Sequence, residues 1–384
     1  MKKIKILSLV FVILLNPLIL SGCWNYKELS DLGIMTGLAI DKNNKDNNFI
    51  VTFEIIDFKK TAQKDPTKSE IFQVEGKTLF DAANNAVKLV GMDLFWSHAE
   101  IVVISEQVAR EGILPILDLI ARDHEVRDDM HIYISKNRTA SEILMEKPIA
   151  NLVRSFELKS MIDKDVNLSE IPHVAFYEFL KALIDKGIEP TAATVINEFN
   201  IDKITAKSGG MALFDKDKLV GFLDDINTKY FLFTRNLIKG GLLIVSVGSN
   251  PKDIVTLQIY KSKTKVKPLF KNGKASISLN IETEVAIAED ATTEIKTKQA
   301  IIKLQNEAAT QLENNISAMI KNVQQNYDTD VFGFGNAIYE ENPKYFDKVD
   351  KNWKEEFKKL PVSVTATIKI RGSGALSNKI ETED

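Results

Sequence analysis

The sequence predicts an α+β protein of three mixed sheet-and-helix domains, preceded by a lipoprotein signal peptide and a short tether. Three observations carry that expectation. Short β-branched runs alternate with segments of helical period up to about residue 198, and a polar turn joins two apolar runs between Gly209 and Leu223. The last third then pairs strictly alternating segments with one long amphipathic stretch. Composition agrees, with 44% hydrophobic and 27% charged residues, the balance of a folded body.

The first element is a leader. Lys2, Lys3 and Lys5 precede an apolar run from Ile6 to Leu20 that is broken by Ser8, Asn16 and Pro17, and the run ends in Leu20-Ser21-Gly22-Cys23. A basic start, an apolar centre and small residues before the cut make a secretory signal, and a cysteine just after the cut makes a lipobox. Residues 1–22 are therefore expected to be removed. Residues 23–31 form a lipidated tether, with Cys23 as the acylated residue and the lipid bilayer as its partner. The apolar run is shorter than the ~20 residues a membrane span needs. Cys23 is the single cysteine, so no disulfide can form within the chain.

Beyond the tether, an N-terminal α/β domain is expected over 24–198. Leu32–Asp41 and Phe49–Phe58 read as strands around the polar turn Asn43–Asn48, and Ile71–Val74 as a short strand. Thr78 can cap a helix running to Val90, with Gly91 as its stop. His98–Ser105 and His131–Ser135 read as buried strands, and Ile113–Ala121 as a helix with Pro115 near its first turn. Helices are expected at Thr139–Glu146, Ile149–Ile162 and Val174–Lys186, and a strand at Thr191–Glu198. A small middle domain, 199–264, holds the hairpin around Asp215–Lys218, a helix at Asn227–Ile238 and strands at Leu242–Val247 and Asp253–Lys261.

The C-terminal domain, 265–376, is expected to place a long helix on an antiparallel sheet. Ile277, Leu279, Ile281, Val285 and Ile287 share one face of a strand, as do Val362, Val364, Ala366, Ile368 and Ile370. Between them, Thr293–Gln325 carries Ile301, Leu304, Ala308, Leu312, Ile316, Met319 and Val323 at spacings of three and four. A second helix, Lys344–Lys359, leads into the last strand.

Charge and motif patterns exclude several functions. Removing residues 1–22 takes away three lysines and no acid, which moves the formal net charge from −3 to −6. A mildly acidic body is not a nucleic-acid binder. Arg122-Asp-His-Glu-Val-Arg-Asp-Asp129 with His131 is the densest charged cluster, and Asp123, His124 and His131 offer ligand types. Their spacing matches no zinc pattern, so a salt-bridge network is expected, with no metal and no cofactor. Phe332-Gly-Phe-Gly335 lacks the lysine and further glycines of a phosphate loop and reads as a tight turn with packed phenylalanines. His98 is expected as a core histidine. There is no Gly-x-Ser-x-Gly or Ser-x-x-Lys, so no enzyme and no catalytic residue is expected.

Several motifs in order resemble one family. Cys23-Trp24-Asn25-Tyr26-Lys27-Glu28-Leu29 resembles the Gly-Cys-Trp-Asp-x-x-Glu opening of the C-subunit lipoproteins of spore germinant receptors (the GerAC/GerBC/GerKC type), with Asn25 in place of the usual aspartate. Gly37–Asp41 is similar to that family's first strand, and Arg122–Arg127 to its Arg-Asp-x-Glu-x-Arg motif. Ala212–Gly221 resembles the start of its C-terminal region, and Asp330–Gly335, Trp353–Phe357 and Arg371–Gly374 resemble its end. The resemblance implies a non-catalytic, membrane-tethered subunit of a nutrient germinant receptor on the outer surface of the spore inner membrane. It implies docking to membrane A and B subunits and a role in triggering germination. The alternative is a solute-binding lipoprotein of a transporter, which would show two similar βα-repeat lobes around a cleft.

Overall fold

The computed structural model describes residues 31–57, 69–123, 125–165, 167–201, 203–248, 253–290 and 297–372, with isolated positions 4, 6 and 295. Cys23, the rest of the leader and most of the tether lie outside the described residues, as do His124, Thr293, Ser373 and Gly374.

The first sheet has nine strands: β1 (Leu32–Lys42), β2 (Phe49–Asp57), β3 (Ser69–Gly76), β4 (Asp93–Phe95), β5 (Ile101–Ser105), β6 (His131–Ser135), β7 (Thr191–Asn200), β8 (Lys203–Asp215) and β9 (Lys218–Leu223). Their order is β3-β2-β1-β5-β6-β7-β8-β9, with β4 against β1. The four central strands run parallel, and an antiparallel hairpin flanks them on each side.

Parallel strands need both faces covered, which the burial of β5 and of most of β1 reflects. On one face Leu38, Ile40, Val102, Ile104, Ile132 and Ile134 meet four helices: α1 (Leu79–Val90), α2 (Glu106–Glu111), α3 (Leu114–Arg122) and, later in the chain, Phe176–Ile184. On the other face Ala39, Ile101, Val103 and Tyr133 meet α4 (Ala140–Met145) and α5 (Arg154–Asp165). The helix Phe176–Ile184 is α6. Thr78 accepts from the Asp81 amide, and Gly91 ends α1 in the left-handed conformation at φ 66°.

The second sheet is β10 (Leu242–Ser246), β11 (Ile254–Lys271), β12 (Lys274–Asp290) and β13 (Val362–Gly372), in that order. Before it comes α7 (Asp225–Thr234). Between β12 and β13 lie α8 (Lys298–Asn326), α9 (Phe334–Glu341), α10 (Pro343–Val349) and α11 (Trp353–Lys359). The α8 stripe from Leu304 to Val323 packs on Leu257, Ile259, Ile277, Leu279 and Ile281. Helix α8 also closes the free edge of β13: Ala366 N donates to Glu313 Oε1 at 2.7 Å and Ile370 N to Gln305 Oε1 at 2.9 Å. An unpaired edge would otherwise invite a strand from another chain.

Five expectations change. Strand β13 runs parallel to β12, so the second sheet is mixed rather than antiparallel; alternation of apolar residues is the same in either direction. The segment 199–264 has no sheet of its own, because β8 and β9 complete the first sheet while β10 and β11 open the second. The expected helix Lys344–Lys359 is two helices with a 3₁₀ turn at Asp350–Asn352 between them. The helix expected from Ile149 begins at Arg154. His98 sits exposed in the 3₁₀ turn Trp96–His98, not in the core.

Candidate functional site

Cys23, the site residue read from the sequence, lies outside the described residues. The charged cluster resolves into local pairs. Arg122 Nε donates to Asp118 Oδ2 at 2.7 Å, one turn earlier on α3, and Arg127 forks onto Asp129 with Nε to Oδ1 at 2.7 Å. Asp123 accepts from the Glu125 amide at 2.9 Å, and His131 Nδ1 stands 3.3 Å from the Val174 carbonyl, its pKa lowered chiefly by burial. Both arginines pair with acids as expected, but in two separate local pairs rather than one network. No group of three His, Cys, Asp or Glu residues is gathered for a metal among the described residues.

Two buried polar constellations were not anticipated. Glu54 sits on β2 with no exposed surface, one hundred residues before its main partners. Its carboxyl accepts from the amides of Arg154 and Ser155 at 2.8 Å each, from Ser69 Oγ at 2.6 Å and from Thr36 Oγ1 at 3.3 Å. It thereby terminates the first turn of α5, where backbone N–H groups lack partners within the helix. Arg154, also fully buried, donates to the Ile143 carbonyl at 3.1 Å and pairs with Glu157. The sequence signal was a lone acid in the apolar run Ile50–Ile56.

The second constellation joins the two sheets. Its centre is Asp330, in the turn before α9. The carboxylate accepts from Phe334 N at 3.1 Å, Gly335 N at 2.7 Å and Trp353 Nε1 at 3.0 Å. Burial pushes its pKa up to about 6, against the lowering effect of these three donors and of the Arg235 charge. Arg235 donates to the Phe332 carbonyl at 2.8 Å, and burial lowers its own pKa. Gly333 takes φ 72°, which folds the Phe-Gly-Phe-Gly turn so that Phe332 and Phe334 stack at 5.0 Å in the second core. That is the tight turn with packed phenylalanines read from the sequence.

The loop before β7 reaches into this turn. Glu189 N donates to the Asp330 carbonyl at 2.9 Å, and Asn336 N to the Gly187 carbonyl at 2.8 Å. Gly187 is in the left-handed region at φ 68°, and a Cβ there would lie 2.4 Å from the Gly335 carbonyl carbon. Thr329 Oγ1 donates to the Phe214 carbonyl and Lys354 pairs with Asp215, so the second unit also grips the β8–β9 hairpin.

Beside this junction opens a cleft of about 790 Å³ whose walls include Leu114, Lys186, Glu189, Asp217, Asp350 and Trp353. Its charges are of both signs and several are already engaged: Lys186 with Asp347 at 3.1 Å and Glu189 with the Lys216 amide at 2.7 Å. Serine, threonine, cysteine and histidine are absent from its described lining, so the walls bring no side-chain nucleophile of those types next to an imidazole base. The geometry is that of a hydrogen-bonded joint between two unlike sheets, not of two similar lobes.

Comparisons with known proteins agree with this architecture. The family described as "Spore germination protein N-terminal domain" matches residues 25–196, and "Spore germination B3/ GerAC like, C-terminal" matches residues 209–374. The chain is 26% identical to spore germination protein KC of Bacillus subtilis (strain 168), across 97% of each chain. It is 25% identical to spore germination protein B3 of the same organism, across 98% of this chain and all of the relative. Its fold matches the crystal structure of the GerBC protein with a TM-score of 0.56 at 21% identity, covering 87% of this chain and 97% of that one. With both regions matched in order on one chain, this protein belongs to the germinant receptor C-subunit family, the GerAC-like spore germination proteins.

Proposed function

We propose that this protein is the lipid-anchored, non-catalytic subunit of a nutrient germinant receptor, and that it acts as a scaffold on which membrane A and B subunits dock. The observation that carries the reading is the ordered match of both family regions along nearly the whole chain, with relatives named as spore germination proteins. Cys23 supplies the tether. The leader is cut before it and acyl chains attach to it, and two chains hold a protein on a bilayer where one is marginal. Among the described residues no helix is long and apolar enough to cross a membrane. The anchored body then sits on the outer surface of the spore inner membrane. The joint at Asp330 supports the scaffold role, because buried hydrogen bonds and a close glycine contact tie the two units together.

The test is a deletion strain complemented with the wild-type gene or with Cys23→Ala. Deletion is expected to abolish germination in response to one nutrient class, to leave vegetative growth intact and to lower the levels of partner subunits that lose a binding surface. Cys23→Ala is expected to lose fatty-acid label and membrane retention. Normal nutrient responses in the deletion strain, together with micromolar binding of an amino acid or sugar to the purified chain, would transfer the reading to a solute-binding lipoprotein.

A further inference from the structure

The outward face of the second sheet carries a charge pattern that the fold itself does not require. A bulge between Ile259 and Lys261 resets the alternation of β11. Beyond it, Thr264 is buried opposite Ile281, and Val266 and Pro268 stand opposite the buried Leu279 and Ile277 on the side of α8. Lys261, Lys263, Lys265, Lys267 and Lys271 therefore project from the other face, and all are exposed. Their neighbours on β12 are Glu284 and Glu282 at the wide end, then Asn280 and Ser278, and finally Lys274 at the hairpin tip.

The two acids are already engaged from the far side by β13. Glu284 takes a two-pronged contact from Arg371 at 2.8 and 3.1 Å, and Glu282 lies 4.0 Å from Lys369. Six lysines, including Lys274, are left with no carboxylate within ion-pair distance among the described residues, on a chain whose formal net charge is −3. At about 6.6 Å between alternate residues, the row from Lys261 to Lys271 extends roughly 33 Å along one strand. Leu269 interrupts the row between Lys267 and Lys271, 42% exposed on the same face. Beside Lys265, Lys267 and Leu269 the outward residues on β12 and β13 are uncharged: Asn280, Ser278 and Ser276, then Thr365 and Ser363.

We propose that this lysine face is a docking surface for an anionic phospholipid bilayer, with Leu269 entering the headgroup layer. Ammonium groups on flexible stems meet headgroup phosphates as point charges, and an apolar residue among them is the pattern of a peripheral membrane contact. Single-stranded nucleic acid, another polyanion, is bound through successive aromatic stacking platforms, and from Lys261 to Leu269 the row carries no aromatic ring; the exposed Tyr260 stands at its wide end alone, and Phe270 at the tip packs on Tyr345. The inference rests on the membrane-tethered reading for the presence of a bilayer. It adds a second contact, which would lay the C-terminal unit down on the surface rather than let it swing on the tether.

The test uses the chain from Trp24 onward, which has no lipid and keeps every described strand and helix beyond residue 30. Sedimentation with phosphatidylcholine vesicles is compared with and without about 30% phosphatidylglycerol. Binding is expected only to the anionic vesicles, and it should fall as salt is raised. Lys265→Ser/Lys267→Ser/Lys271→Ser should weaken it on the order of a hundredfold, about fivefold per lysine. Lys321→Ser/Lys344→Ser/Lys348→Ser, three exposed lysines on α8 and α10, should leave it unchanged. Absence of binding to anionic vesicles, equal binding to neutral ones, or equal losses in the two variants would overturn the proposal. Because the protein tested carries no acyl chain, a failure here leaves the Cys23 reading untouched, and a failure of Cys23 labelling leaves this result untouched.

Discussion

Replacing Asp330 by alanine removes the centre of the joint between the two sheets. In the native chain its carboxylate serves three donors, Phe334 N, Gly335 N and Trp353 Nε1, and feels the charge of the half-buried Arg235. Each of the three stranded donors costs about 1–3 kcal/mol before relaxation. Part of that loss is returned at neutral pH, because the ionised carboxylate is itself expensive to bury. Its pKa rises from 3.8 to about 6, and burial is the largest cause. The unfolded chain releases this proton near pH 4 and the folded chain near pH 6. Between these values the folded state holds more protons, so this group's contribution to stability falls as pH rises through the window. The fall is on the order of 3 kcal/mol.

Asp330→Ala should therefore lose about 3 kcal/mol at pH 7, and the wild-type advantage should widen as pH falls from 7 towards 4. Asp41, whose pKa burial also raises, titrates in both proteins and cancels in the difference, whereas Glu189, whose pKa the Asp330 charge helps to raise, loses that contribution in the variant and so widens the wild-type advantage on acidification in the same sense. The assay is urea unfolding of the chain from Trp24 onward across that pH range, followed by fluorescence of Trp353, which loses its hydrogen-bond acceptor in the variant. A loss under about 1 kcal/mol, or an advantage that narrows on acidification, would refute the reasoning.

Gly187→Ala places a Cβ 2.4 Å from the backbone of Gly335 at a residue with φ 68°. It should cost at least about 2–4 kcal/mol from strain and overpacking, read as a lower urea midpoint. Glu54→Ala strands the amides of Arg154 and Ser155, and a loss of at least about 3 kcal/mol is expected in the same assay. Glu54→Gln, which keeps one acceptor oxygen, should lose less. Arg127→Ala removes a pair whose side chains are 44% and 51% exposed, so stability should change by under about 1 kcal/mol. A larger loss would mean that this cluster does more than solvate its loop.

Local order was legible in the sequence wherever one stretch of chain suffices to decide it. The β1–β2 and β8–β9 hairpins follow from polar turns between apolar runs, the α1 caps from Thr78 and Gly91, and the α8 stripe from spacings of three and four. The Phe332–Gly335 turn follows from glycines set between aromatics, and the local pairing of Arg122 and Arg127 from acids within one turn of each. The motif order along the chain was enough to name the family.

Tertiary structure decided what depends on distant segments meeting. Alternation in β13 marks its buried face but not its direction, and the return path through α8 sets it parallel to β12. Glu54 acquires its role only when α5 arrives one hundred residues later with unsatisfied amides. Asp330 becomes a buried acid only because Trp353, Arg235 and the Gly187 loop close around it from three parts of the chain. The six lysines look like an ordinary solvated strand in sequence. Register places uncharged residues beside the tip half of the row, and β13 claims the two acids beside the rest, so a local alternation becomes a charged face. Each case has the same physical reason: burial and electrostatic pairing depend on proximity in space, and the chain's own order carries that information only where neighbours in sequence are also neighbours in the fold.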